Sequence, residues 1–100
     1  MRIYISGPIT GTTDAWDRFD AMARKVEKYG HEAINPYYIG LAFPGGTHAQ
    51  IMAVCFTLMS FADGLLLMDG WEKSKGAKQE RCKALAMGIP IFYGVEDLKK

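Results

Sequence analysis

Cysteine is scarce, charge is balanced and long apolar runs are missing. The 100 residues hold only 2 cysteines. These are Cys55 and Cys82, in stretches of helical periodicity with no metal-type spacing. That excludes a disulfide scaffold and fits a reducing cytosol. A net charge of +1 excludes bulk electrostatic binding to nucleic acid. No apolar stretch approaches the length that spans a bilayer, so no membrane partner is expected. The chain opens directly on strand-like residues; no leader peptide is expected, and the protein is assigned to the cytoplasm. Histidine is also rare. His31 and His48 stand without a carboxylate or cysteine at ligand spacing, so no metal is predicted. Internal repeats and low-complexity segments are lacking. What is present is 49% hydrophobic residues, enough for one modest core. Residues 1–100 are read as a single domain.

The stretch from Gly64 to Met87 organises the rest. Leu65 to Met68 is a short continuous apolar run, as in a parallel strand covered on both faces. Asp69-Gly70 breaks it, and Ser74 is a candidate N-cap for a following helix that Gly88 stops. Upstream, Arg2 to Ser6 reads as a first strand. A glycine- and hydroxyl-rich loop follows, Gly7 to Thr13. Thr12 or Thr13 is then expected to cap a helix carrying Ala15, Phe19, Met22 and Val26, and Gly30 ends it. Glu32 to Asn35 is a short second strand before Pro36. Tyr37 to Gly46 mixes glycine, proline and aromatics. It is expected to be a long loop, either functional or pinned by its own ring packing. Thr47 is expected to cap a helix from His48 to Phe61 that carries no charge between Ala49 and Ala62. Its apolar residues cover more than one face, which points to a symmetric homodimer, or to a helix wedged under the long loop. Ile89 to Tyr93 is a fourth strand at an edge, since it contains Pro90. Val95 to Lys100 is a short tail with room for one helical turn.

Strands alternating with helices predict an α/β fold: three layers around a short parallel sheet of order 2-1-3-4, flavodoxin-like or Rossmann-like. Ligands of such sheets bind beyond the carboxyl ends of the strands, at the reversal of winding. That point lies between the first and third strands, where Ser6 to Thr13 meets Asp69 to Ser74. The first loop is neither a dinucleotide fingerprint nor a Walker loop, and no cofactor is predicted. Lys73, Lys75, Lys78 and Arg81 either hold a phosphate or are simply solvated. The unusual residue is Glu80. A helical wheel places it among Ala77, Ala84 and Met87, on the apolar side near the positive end of its helix. Two readings follow. It is an edge carboxylate paired with Lys or Arg, or it has chemical work, such as attack on a sugar carbon to form a glycosyl ester. Asp69, at the correct end of the third strand, is the candidate acid. Asp63 lies at the wrong end and is expected to end a helix or tether a turn.

Tyr4-Ile-Ser-Gly-Pro, Ala62-Asp63, and Gly70-Trp-Glu-Lys-Ser-Lys-Gly-Ala77 with Glu80 resemble the nucleoside 2-deoxyribosyltransferase-like superfamily, and most closely its small phage and prophage branch. The likeness runs in order over nearly the whole chain. It implies base exchange or base release on a deoxynucleoside or its 5′-monophosphate, so the implied partner is a small nucleoside or nucleotide. It also implies that Glu80 is the nucleophile and that Tyr4 holds it. Ser74 would contact phosphate, Gly7 and Gly76 would line the pocket, and Tyr37, Tyr38 or Phe43 would stack on the base. Ser6, Pro8 and Cys55 join the implied substrate-binding set. The sequence departs from the family pattern in three places. Cys55 stands where relatives usually carry an aspartate. Pro8 and Thr10 stand where the monophosphate hydrolases carry serine and arginine. The C-terminal segment that relatives donate to a neighbour's site is expected to be short or missing. These departures set an alternative beside the enzyme reading: a catalytically weakened homodimer that binds a nucleotide or a partner protein.

Overall fold

A computed structural model describes residues 1–99. Four strands form one parallel sheet, and each is short enough to follow from its own residues. Strand β1 is Arg2–Ser6, β2 Glu32–Ile34, β3 Gly64–Leu67 and β4 Ile91–Phe92. Their order is β2-β1-β3-β4, as expected. Tyr4 pairs in register with Ile34 on one side and Leu65 on the other. Leu65 to Leu67 are buried, matching the unbroken apolar run of a strand covered on both faces. Gly64 is required by packing, because a Cβ there would lie 2.8 Å from the Phe92 ring.

Alternation along the strands sorts the core into two layers. Ile3, Ile5, Leu66 and Met68 face helix α1, Ala15–Lys28, through Phe19 and Val26. Tyr4, Leu65 and Leu67 face the other way. They pack against Cys55 and Met59 of helix α3, His48–Met59, and against Ala77 and Ala84 of helix α4, Lys75–Met87. Ser6 shares the parity of Tyr4, so β1 presents two hydroxyls toward α3 and α4.

Local signals set most helix ends. Thr47 and Gln50 form a reciprocal capping box at the start of α3. Ser74 Oγ accepts the Ala77 N–H and caps α4, as expected. After α1, Gly30 adopts φ 86° and His31 N–H returns to Val26 O, closing a Schellman turn. Gly88, at φ 74°, stops α4.

Several boundaries differ from expectation. The residue at the start of α1 is Asp14, not a threonine, and it makes no side-chain capping bond. Thr12 instead donates to Ile9 O and closes the preceding loop. Helix α3 ends at Met59 rather than Phe61, and β4 is confined to Ile91–Phe92. The segment expected as a loop contains a short helix, α2, Tyr37–Ala42. Asn35 Oδ1 accepts the Tyr37 N–H at its start, and Pro36 already holds helical angles. Tyr37 packs on Phe19 and edge-on against Tyr38, so the rings pin this segment to α1. Val95–Leu98 forms a single 3-10 turn. Asp63 accepts the Arg2 N–H at 2.9 Å and donates its own N–H to Arg2 O, tying the far rim of the sheet. Among the described residues, no helix is long and apolar enough to cross a membrane.

Candidate active site

Glu80 projects from the buried side of α4, between Ala77 and Ala84. Both neighbours on that face are alanines, so the carboxylate is the longest group reaching toward the sheet. It is 6% exposed. Tyr4 donates to Oε2, and Ser6 Oγ donates to Oε1 at 2.6 Å. No cation pairs with it among the described residues. The reading of Glu80 as an edge carboxylate paired with Lys or Arg is therefore overturned. Lys73, Lys75 and Lys78 are exposed. Arg81 stacks on Trp71 and donates to the Tyr93 hydroxyl.

Burial pushes the Glu80 carboxyl above the usual glutamate range. The hydrogen bonds from Ser6 and Tyr4 and the nearby Cys55 thiol pull the other way without cancelling it. Tyr4 is fully buried, and burial, then the Glu80 charge, drives its phenol far above the ordinary range. It stays protonated and donates to Glu80. Burial likewise pushes the Cys55 thiol up; Tyr4 opposes this and the Glu80 charge adds to it. Glu80 lies in the second turn of α4, beyond the first turn where the helix dipole is felt.

A cavity of about 340 Å³ opens over this carboxylate, within the range of small-molecule sites. Ser6 and Gly7 line it from the end of β1, and Ser74, Gly76 and Glu80 from α4. Pro36, Tyr37 and Gly40 close it from the α2 side, with Phe19 from α1. Helix α3 contributes His48, Ile51, Met52 and Cys55. The pocket lies at the carboxyl end of β1, on the rim where the winding reverses. A Cβ at Gly7 would meet the Met68 side chain at 2.8 Å, so glycine lets the loop lie close against β3. Arg18 holds that loop, donating to Pro8 O at 2.7 Å and to Thr12 Oγ1 at 3.2 Å.

Four residues expected at the site are not brought to it: Asp69, Tyr38, Pro8, and Phe43, which is exposed and lies outside the pocket. Asp69 is exposed and does not line the pocket. The strand has ended by Leu67, and Gly70, at φ 87°, turns the chain away into the 3-10 turn Trp71–Lys73. Tyr38 is exposed and accepts a bond from the Trp16 indole. The Pro8 side chain points to Gly70, where an added Cβ would lie 3.3 Å from its Cγ. Tyr4 sits behind Glu80 rather than on the pocket wall.

Sequence reasoning missed His48 as a wall residue. The signal was present, since His48, Met52 and Cys55 stand at i, i+4 and i+7 on one helical face. It likewise missed Ser6 as a partner of Glu80, although Ser6 lies one strand period beyond Tyr4. Among the described residues, no three His, Cys, Asp or Glu side chains group as a metal set.

The family model described as "Domain of unknown function (DUF4406)" matches residues 1–93. The chain belongs to the DUF4406 family. No curated protein and no solved structure matches it. The match takes in every residue of the pocket, so the site is a feature of the DUF4406 region itself.

Proposed function

We propose that this DUF4406 protein is an N-glycosidase or deoxyribosyltransferase that acts on a deoxynucleoside or its 5′-monophosphate, with Glu80 as nucleophile. One observation carries the reading: a buried carboxylate, without a cation, is held by two hydroxyls at the floor of a ligand-sized pocket. Such a group is costly to the fold, and its oxygens are aimed rather than neutralised. The resemblance to nucleoside 2-deoxyribosyltransferase-like proteins supplies the substrate class. Glu80 attacks the anomeric carbon and forms a glycosyl ester, which water or an acceptor base then opens. Tyr4 and Ser6 position the carboxylate. Tyr37 offers a ring to the base, and Ser74 at the start of α4 offers a hydroxyl to a 5′-phosphate. The reading places the protein in the cytoplasm as a homodimer, which the exposed Val54 and Phe61 support.

Glu80→Ala is expected to abolish base release while the far-ultraviolet circular dichroism stays native. Base release by the variant at the wild-type rate would rule the mechanism out.

A second reading, a weakened homodimer that senses a nucleotide or a partner protein, is favoured by one fact. Among the described residues, Glu80 is the only carboxylate lining the pocket, with Cys55 beside it. Thermal stabilisation by nucleotides without base release favours this reading. A steep rise in hydrolysis on Cys55→Asp would mark a damaged but competent site.

A further inference from the structure

Breaking a glycosidic bond leaves the bonding electrons on the base nitrogen, and the base departs readily only if it is protonated. Glu80 is committed as the nucleophile, and Asp69 is exposed outside the pocket. The Cys55 thiol is a weaker acid than usual because it is buried. We propose that His48 is the catalytic acid that protonates the departing base and then takes a proton from the attacking water. This rests on Glu80 acting as the nucleophile.

His48 lines the same cavity as Glu80. Its Nε2 lies 2.7 Å from Gln79 Oε1. That oxygen only accepts, so Nε2 holds the proton of the neutral ring. Nδ1 has no protein partner among the described residues and is where a second proton binds and leaves. Gln79 directly precedes Glu80 on α4. Successive helical residues point about 100° apart, so Glu80 turns to the sheet while Gln79 turns to the start of α3. One turn of α4 thus carries both the nucleophile and the group that orients the acid. The Thr47–Gln50 capping box fixes the backbone on either side of His48.

In the first step a Glu80 oxygen bonds to C1′, the C1′–N bond breaks, and its electron pair goes to the base. Protonated His48 gives the Nδ1 proton to a heteroatom of that base and becomes neutral. In the second step water attacks C1′, the ester bond breaks to regenerate the Glu80 carboxylate, and neutral His48 takes the proton of the water. The net change is addition of one water across the glycosidic bond.

The test compares two leaving groups. The first substrate is 2′-deoxyguanosine or its 5′-monophosphate, whichever turns over faster. The second is its N7-methylated counterpart, whose base already carries positive charge and leaves without an acid. His48→Ala is expected to lower kcat/KM, which reports the steps through ester formation, on the first by about 100-fold or more, the scale of general-acid catalysis, and to change kcat/KM on the second by only a few-fold. Gln79→Ala should show the same selectivity, with a smaller loss. His48 is exposed, so its variant should fold, and a role confined to tethering α3 to α4 would affect both substrates alike. Equal losses in kcat/KM, or no loss on either substrate, overturn the proposal. A sugar ester trapped on wild-type Glu80 together with equal losses removes the acid role alone. Failure of the wild-type protein to form any ester removes the nucleophile and the acid together.

Discussion

At Glu80 two hydroxyls stand where a buried carboxylate ordinarily takes a cation. Their bonds offset part of the desolvation cost, yet the carboxyl still binds its proton more tightly in the fold than in the unfolded chain. The sign of the linkage follows. The stability that Glu80 contributes is complete below the ordinary glutamate range and is lost as pH rises through the raised folded value. Glu80→Gln should therefore raise Tm at pH 7 and lose that advantage under acid, in melts run across the pH range. Ser6→Ala removes one donor to the ionised form. It should cost about 1.5–3 kcal/mol at neutral pH, the scale of a hydrogen bond to a charged group. Because Ser6 pulls the Glu80 value down, its loss should also move the acid limb of the pH–rate profile to higher pH. An unmoved limb would show that Ser6 does not tune the carboxylate.

The elements that carry the site depend on short local signals. Thr47→Ala removes half of the α3 capping box and should cost about 1 kcal/mol in urea unfolding. Ser74→Ala should cost a similar amount through the start of α4, and should raise KM for a monophosphate more than for the free nucleoside. These caps were legible in the sequence because a hydroxyl followed by a helical pattern has one local geometry. So were β3 and the apolar face of α4 around Glu80. Helix α2 was not, because Gly40 and Pro36 argue against helix locally and its support comes from Phe19, distant in sequence. Asp69 misled for a related reason. It follows the correct end of β3, but the strand stops at Leu67 and the left-handed turn at Gly70 carries the chain away from the pocket. Ser6 and His48 were visible as residues, but their roles depended on which strand face and which helix face meet.

Across the molecule, β1 and β3 divide the core, with α1 on one side and α3 and α4 on the other. The chemistry sits on the second side, where β1 substitutes hydroxyls for aliphatic side chains. Leu66, fully buried toward α1, tests the independence of the layers. Leu66→Ala should cost about 2–5 kcal/mol in denaturant unfolding while leaving base release per folded molecule unchanged. The exposed apolar positions of α3 and its end belong to the proposed dimer. Val54→Glu should convert a dimer to a monomer in sedimentation equilibrium, and a wild-type monomer would refute that assembly. The most direct measurement of the central claim is intact and peptide mass after incubation with a 2-fluoro-arabinosyl nucleoside, which slows opening of the ester. A 2-fluoro sugar should appear on the peptide containing Glu80 and be absent from Glu80→Ala. Base release with no adduct, or an adduct on another residue, would contradict it.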